Sequence, residues 1–241
     1  MHLGAVSATQ MDAILEQLGE RLGLNTAATQ ENGAYAAAEQ ARRMLTTLDE
    51  RAVVILVGPG GTGAIGAAVA RRLASWGSSV TVLLGVERAL LQPTTLQQLE
   101  LAEACGVRVF DPGALLPPAE LILDALVGLH GHGRLEGTLA QAVRLAVSVK
   151  VPILALDVPS GMDATSGKAD QPVIRADVTV TLGYPKTGLV KPFSPVLVGQ
   201  LLVADLGIPP QLWQHIGQPA PDFSAGPLVA VDLDSKVSEK D

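Results

Sequence analysis

The sequence has a single cysteine, Cys105, and very few aromatic residues, which make up 3% of its 241 residues. One cysteine excludes an internal disulfide and a cysteine-based zinc site, and this usage is typical of a reducing compartment. The low aromatic content argues against a base-stacking surface for single-stranded nucleic acid. We therefore expect a cytoplasmic protein whose core is built from aliphatic side chains.

Long apolar runs and an excess of positive charge are also missing. No stretch of about 18 uninterrupted apolar residues occurs, and no basic segment followed by an apolar run opens the chain, so we expect no membrane span and no signal peptide. The net charge of −7 gives no electrostatic reason to bind nucleic acid or an anionic membrane. What the sequence does have is 48% hydrophobic residues, enough for one large domain.

The hydrophobic pattern alternates between strand and helix after two N-terminal helices. The first helix follows a capping box at residues 7–10, and the second is rich in alanine. Alternation of this kind predicts an α/β fold with a mostly parallel sheet and right-handed crossovers. Helices are predicted at about 9–21, 29–48, 63–76, 95–104 and 138–149, and strands at 53–57, 80–84, 107–110, 121–126, 153–157, 178–182 and 201–205.

Two glycine-rich loops follow predicted strands. The first, residues 58–66, satisfies G-x-G-x-x-G between a strand and a helix, a context in which backbone amides hold phosphate. The second, residues 128–134, follows Asp124 and includes Arg134, which would add a formal charge. The alternative for the first loop is a turn needed only for close packing. His130 and His132 in the second loop are interpreted as solvated rather than as metal ligands.

Asp157 stands at the end of a buried strand, immediately before the turn Pro159-Ser160-Gly161. Ligands of open α/β sheets bind at this edge, so Asp157 is a candidate acid or base. The alternative is that its carboxylate only caps the amides of the turn. Lys186 lies in a long loop, residues 183–195, and is interpreted as solvated rather than as a ligand for an anion.

The order of these motifs resembles the NAD(P)H-hydrate epimerases, the YjeF N-terminal domain family. The resemblance covers roughly residues 5–210 and is carried by five segments: Gln30-Glu31-Asn32-Gly33, Gly58-Pro59-Gly60, Asp124 with its loop, Asp157 to Gly161, and Thr181 to Gly188. It implies a Rossmann-like three-layer α/β/α sandwich over residues 1–210, followed by a C-terminal extension, 211–241, without assigned function. It also implies interconversion of the R and S forms of hydrated NADH and NADPH (NADHX and NADPHX), which is metabolite repair by an isomerase.

The resemblance further implies particular site residues. Asp157 would be the catalytic residue, and a potassium ion would be held by Thr62, Asp124 and Ser160. The substrate would be bound by Asp157 and by the two loops, at Gly61, Thr62, Gly63, Ala64, Ile65, Gly128, Leu129, His130, Gly131, His132, Gly133 and Arg134. The first loop departs from the family pattern, because Gly61 and Thr62 replace two asparagines, Ala64 a glycine and Ile65 an aspartate.

The expected partners are the dinucleotide substrate, a second copy in a homodimer, and a separate NAD(P)HX dehydratase, since the family's fused dehydratase domain does not follow this one. One alternative is a non-catalytic nucleotide-binding or protein-interaction module of the same fold, which Ile65 favours. Another is a nicotinamide oxidoreductase of the short-chain type. That class is disfavoured because neither Tyr35 nor Tyr184 is followed by lysine four residues on.

Overall fold

Local sequence signals account for the ends of the first two helices. The computed structural model describes residues 3–131 and 134–232, except for the side chains of residues 21 and 22. Helix α1 begins after Ser7, whose hydroxyl accepts from the Gln10 amide in the predicted capping box, and it ends at Gly23 in a left-handed conformation. Helix α2 begins after Asn25, whose side chain accepts from the Ala28 amide.

The remaining elements alternate as predicted from the hydrophobic pattern. The helices are α1 (Ala8–Leu22), α2 (Thr26–Leu45), α3 (Gly61–Ser75), α4 (Pro93–Ala104), α5 (Gly137–Ser148), α6 (Pro195–Val198) and α7 (Pro210–His215). The strands are β1 (Ala52–Val57), β2 (Ser79–Leu84), β3 (Arg108–Phe110), β4 (Leu121–Ala125), β5 (Ile153–Leu156), β6 (Val178–Leu182), β7 (Gln200–Ala204) and β8 (Leu228–Ala230). Elements α6, α7 and β8 have no counterpart in the sequence prediction.

The eight strands form one sheet in the order β3-β2-β1-β4-β5-β6-β7-β8. All neighbouring pairs are parallel except β7 and β8, which are antiparallel. This confirms the predicted α/β class with a mostly parallel sheet. Strand β8 lies in the region predicted as a C-terminal extension, and it adds an eighth strand at the edge of the sheet.

Helices cover both faces of the sheet, which gives three layers. One apolar cluster joins α2, α3 and α4 to residues such as Val53 and Ile55 of β1. On the opposite face α5 packs on Val54 and Leu56 in a second cluster. A third cluster joins α1 and α7 to the end of the sheet near β7. All buried residues of the first cluster are alanine, leucine, valine or isoleucine, in keeping with the scarcity of aromatic residues.

The register brings three loops to one edge of the sheet. Val57 at the end of β1 pairs with Ala125 of β4, and Asp124 pairs with Ala155 of β5. The carboxyl ends of parallel strands share an edge, so the segments after Val57, Ala125 and Leu156 emerge together. Over the described ranges, none of the helices has the length and apolarity needed to cross a bilayer.

Candidate active site

A cavity of about 690 Å³ lies at this edge of the sheet, within the size range typical of small-molecule sites. Its walls come from the loop after β1, the loop after β4, the end of β5 and the first turns of α2. Apolar side chains from α1, β6 and the chain after β7 close the other side. The lining includes Met11, Leu15, Thr29, Gln30, Gly61, Thr62, Ile65, Gly128, Leu129, Arg134, Asp157, Leu182, Lys186 and Leu206.

The N-terminus of α3 faces this cavity. Gly60 precedes the helix without a side-chain cap, and Gly61 and Thr62 of the first turn line the cavity. The loop after β1 runs close to the loop after β4, because a Cβ added to Gly58 would lie 1.7 Å from the carbonyl oxygen of Leu126. The first turn of this 15-residue helix therefore borders the cavity, and the free amides of a helix N-terminus favour anions.

Asp157 follows β5 directly and lines the cavity, with only 3% of its surface exposed. Its backbone has φ of +69°, which is uncommon for a residue other than glycine and is found most often at functional sites. Its Oδ1 accepts from Lys186 Nζ at 2.5 Å, from the Leu182 amide at 3.1 Å and from Thr181 Oγ1 at 3.3 Å. The carboxylate is thus held by β6 and the loop that follows it.

Lys186 is buried, with 1% of its surface exposed, so the prediction of a solvated lysine is wrong. Burial lowers the pKa of Lys186, and the Asp157 carboxylate opposes that shift. The ammonium also donates to the Leu182 carbonyl oxygen at 2.7 Å and to Thr181 Oγ1 at 3.1 Å. Three partners for three N–H groups explain why this lysine is inside although most lysines are not.

Asp124 is a second buried carboxylate, with 0% exposure. Its Oδ1 accepts from Ser160 Oγ at 2.7 Å and from the Leu126 amide at 3.2 Å, while Oδ2 accepts from the Ser160 amide at 2.8 Å. Burial raises the pKa of Asp124 to about 6, although the hydrogen bonds from Ser160 and Leu126 act in the opposite direction. No cationic side chain of the described residues forms an ion pair with it.

Gly128 connects these groups. A Cβ at this position would lie 2.2 Å from Thr62 Oγ1 and 3.1 Å from Asp157 Oδ2, so only glycine lets the second loop approach both. The preceding residue, Val127, donates its amide to Ser160 Oγ at 3.0 Å. Thr62 and the Asp124–Ser160 pair therefore both lie close to the segment 127–128.

A histidine–carboxylate contact and an ion pair lie at the rim of the cavity. His130 Nε2 is 3.0 Å from Asp12 Oδ1 of α1, which links the second glycine loop to the first helix. Arg134 pairs with Glu136 and is mostly exposed. The predicted binding residues His132 and Gly133, which lie between them, fall outside the described residues.

The structure brings most of the predicted site residues to one cavity. The predicted residues that line it are Gly61, Thr62, Ile65, Gly128, Leu129, His130, Gly131, Arg134 and Asp157. Gly63, Ala64 and the predicted potassium ligands Asp124 and Ser160 do not line it. Their roles in binding stay predictions. Sequence reasoning missed the contribution of α1 and α2, namely Met11, Leu15, Thr26, Thr29 and Gln30. The polar residues at the start of α2 and the apolar stripe of α1 gave no sign of facing a ligand rather than the core.

Comparisons with known proteins agree on the family to which this chain is similar. The family described as YjeF-related protein N-terminus matches residues 27–188. An NAD(P)H-hydrate epimerase of Dehalogenimonas lykanthroporepellens is 40% identical over 166 residues, which are 68% of this chain and 66% of that protein. An NAD(P)H-hydrate epimerase of Rhodopirellula baltica is 31% identical over 76% of this chain and 75% of its own length.

A longer relative and a solved structure extend the comparison. A bifunctional NAD(P)H-hydrate repair enzyme of Hyperthermus butylicus is 31% identical over 85% of this chain, and this region spans only 39% of that enzyme. The crystal structure of the yeast protein YNL200c superimposes with a TM-score of 0.83, at 23% identity, over 95% of this chain and 100% of its own. At that identity the likeness shows a shared fold, and it agrees with the predicted Rossmann-like sandwich.

Proposed function

Because this chain belongs to the family of YjeF-related protein N-termini, we propose that it is an NAD(P)H-hydrate epimerase, an isomerase that interconverts the R and S forms of NADHX and NADPHX. The chain spans about two thirds of the first curated relative and two fifths of the bifunctional one. The activity proposed is the one that the monofunctional relatives carry in their names.

One observation carries this proposal: Asp157 and the N-terminus of α3 line the same cavity. The helix N-terminus suits the pyrophosphate of a dinucleotide, because its free amides and positive dipole end favour negative charge. The loop at Gly128 closes the wall between them. A dinucleotide whose phosphates lie at Gly61 and Thr62 would then place its hydrated ring toward Asp157.

Asp157 supplies the chemistry in this proposal. As an ionised carboxylate beside the Lys186 ammonium, it accepts the proton of the hydroxyl at C6 of the hydrated nicotinamide ring while the C6–N1 bond breaks and its electron pair passes to N1. The resulting aldehyde rotates about C5–C6, the C6–N1 bond forms again on its other face, and the proton returns to the oxygen. A positioned acid or base typically contributes about 10²–10⁴-fold to a rate. The apolar side chains Leu182, Ile65 and Leu206 line the cavity and offer a dry surface to the ring.

A potassium ion is part of the proposal, held by oxygen atoms of Thr62, Asp124 and Ser160. The site suits it because Asp124 is a fully buried carboxylate whose described partners are two amides and a hydroxyl, with no cationic side chain. Hard cations of this kind prefer oxygen ligands. When bound, the ion would supply a positive charge that offsets Asp124 beside the phosphate site.

We also propose three properties of the protein in the cell: a cytoplasmic location, a homodimer, and cooperation with a separate NAD(P)HX dehydratase. The last is supported by the bifunctional repair enzymes among the relatives, which match this chain over only part of their length. The homodimer is testable by sedimentation velocity of the purified protein.

The proposal predicts that the purified protein accelerates equilibration of R- and S-NADHX, and that Asp157→Asn abolishes this. Asparagine tolerates the same positive φ, so the substitution removes the carboxylate with little change to the backbone. The rate is measured by chromatographic separation of the two epimers after one is supplied in excess. Asp170→Asn is the control, because Asp170 is exposed and does not line the cavity.

Failure of the wild-type protein to exceed the uncatalysed rate would overturn the proposed activity. Calorimetry with ADP-ribose or NADH then tests the non-catalytic alternative. Binding at the cavity without turnover would favour a nucleotide-binding module, in which the isoleucine at position 65 contributes only apolar contact.

A further inference from the structure

The two oxygens of Asp157 have different surroundings. Oδ1 accepts three hydrogen bonds, from Lys186 Nζ, the Leu182 amide and Thr181 Oγ1. In residues 3–131 and 134–232 no hydrogen bond is made to Oδ2. Instead, Oδ2 faces the Cα of Gly128, where an added Cβ would lie 3.1 Å from it. One oxygen is therefore saturated and the other faces the second glycine loop.

The Lys186 ammonium is saturated as well. Its three N–H groups match three acceptors, which are Asp157 Oδ1, the Leu182 carbonyl oxygen and Thr181 Oγ1. It is also 99% buried and charged only at the cost of desolvation. An ammonium with no free N–H cannot also bind a substrate phosphate, and a lysine so paired does not act as a nucleophile. Lys186 can therefore affect the reaction only through its contact with Asp157.

We propose that Lys186 is a positioning residue that occupies Oδ1 of Asp157 and thereby leaves Oδ2 as the only oxygen that exchanges a proton with the ligand. This inference rests on the proposed epimerase function and adds to it the residue that orients the carboxylate and the oxygen that reacts. Thr181 assists, because its hydroxyl contacts both the ammonium and Oδ1.

The backbone supports the same orientation. The Asp157 amide donates to the Val180 carbonyl oxygen at 2.8 Å, so the main chain is tied to β6 next to Thr181 and Leu182. The positive φ of Asp157 turns the side chain from the end of β5 toward these donors. Held on one side by β6 and on the other by the close approach of Gly128, the carboxylate has a single orientation. Such fixed geometry matters, since a misplacement of about 1 Å can cost about 10²-fold in rate.

Removal of the ammonium is the first test. We expect Lys186→Met, which keeps an unbranched apolar stem and lacks only the terminal ammonium, to lower kcat by about 10²-fold while KM changes by less than about threefold. In Lys186→Ala, n-propylammonium added to the assay should restore part of kcat, because it returns a cation to the vacated volume. The neutral 1-propanol, which fills the same volume, should not.

A second pair of variants leaves the charges of Asp157 and Lys186 unchanged. Thr181 and Thr179 are buried on the same face of β6, and Thr179 Oγ1 donates instead to the Val198 carbonyl oxygen at 2.7 Å. Thr181→Val should lower kcat by about tenfold through loss of one donor to Oδ1. Thr179→Val should lose similar stability and keep the wild-type kcat.

The outcomes separate this inference from the proposed function. A wild-type protein without epimerase activity overturns the function, whereas an active wild type with a folded Lys186→Met variant of unchanged kcat overturns only the positioning role. Equal rescue by 1-propanol would also overturn it, since volume and not charge would then matter. If the Lys186 variants do not fold, an equal kcat for Thr181→Val and Thr179→Val contradicts the inference.

Discussion

The two buried carboxylates of the site differ in how their charge is balanced. Asp157 is paired with Lys186 at 2.5 Å, whereas Asp124 has only neutral donors from Ser160 and Leu126. Burial of a carboxylate without a partner of opposite sign costs free energy. Its pKa rises, because burial favours the neutral form. Burial without a cationic partner accounts for the raised pKa of Asp124, and it marks that residue as the one that gains most from a bound cation.

Asp124 should make the protein less stable as the pH rises. Its pKa is about 3.8 when unfolded and about 6 when folded, so its stabilising effect is complete below pH 4 and is lost as the pH rises through 6. The difference of about two pKa units between the folded and unfolded states corresponds to about 3 kcal/mol in the free energy of unfolding. In potassium-free buffer, the free energy of unfolding of Asp124→Asn minus that of the wild type should therefore rise by about this amount between pH 3 and pH 7.

Urea unfolding at each pH measures that difference. The prediction concerns how the difference in unfolding free energy changes with pH. Its value at any one pH also contains the cost of the hydrogen bond that asparagine cannot accept from Ser160, but that cost is constant and cancels in the comparison between pH values. A difference that does not vary with pH would contradict the predicted titration. Addition of potassium chloride should flatten the dependence in the wild type, while choline chloride at the same ionic strength should not.

The segment before α1 positions the loop that carries Lys186. The Val6 amide donates to the Pro185 carbonyl oxygen at 2.9 Å, and the Thr187 amide donates to the Val6 carbonyl oxygen at 2.8 Å. These bonds form a parallel bridge between Val6 and Lys186. An element distant in sequence thus fixes the backbone on both sides of the lysine.

Val6→Pro should loosen this bridge, because proline has no N–H to donate to Pro185. We expect faster hydrogen exchange in a peptide that covers residues 183–190, measured by mass spectrometry. Val6→Ala is the matched control, since it loses the buried side chain and retains both hydrogen bonds. Equal protection of the peptide in the two variants would mean that the bridge does not order the loop.

The sequence predicted the parallel sheet and the place of Asp157 because both depend on short-range patterns. Apolar runs of four to six residues identify buried strands, and a polar residue at the end of such a run lies at the carboxyl edge. The prediction for Lys186 was wrong because nothing local distinguishes a buried lysine from a solvated one. Its partners, Asp157 and the Leu182 carbonyl oxygen, become neighbours only when β5 and β6 pair.

The short elements after β7 were missed for a related reason. Residues 210–230 are rich in proline and glycine, and their helix and strand have only six and three residues. Periodicity is not detectable over such lengths. Their formation depends on contacts with β7 and α1, which a single sequence does not reveal.

At the scale of the whole molecule, the chain after β7 is integrated with the rest. Trp213 of α7 is 2% exposed and lies against Tyr184, with ring centroids 4.8 Å apart. The Tyr184 hydroxyl donates to the Pro219 carbonyl oxygen at 2.9 Å. Residues on both sides of position 210 therefore belong to one apolar cluster.

Trp213→Ala should destabilise the whole protein by about 3–5 kcal/mol, the usual cost of removing a buried aromatic side chain. Urea unfolding should still show a single transition, since the cluster is continuous with the sheet. Phe193→Ala is the control, because Phe193 is 55% exposed and should lose less than about 0.5 kcal/mol. A separate early transition in Trp213→Ala would show that the C-terminal region unfolds on its own.

The bridge at Val6 also constrains the order of events during synthesis. Val6 leaves the ribosome about 180 residues before Lys186 does. The segment before α1 therefore cannot form its bridge to Lys186 while most of the sheet is translated. Pro219, the partner of Tyr184, emerges later still. The hydrogen bond from Lys186 to the Asp157 carboxylate can therefore form only late in synthesis, and a nascent chain halted before that point would contain Asp157 without the ammonium that orients its side chain.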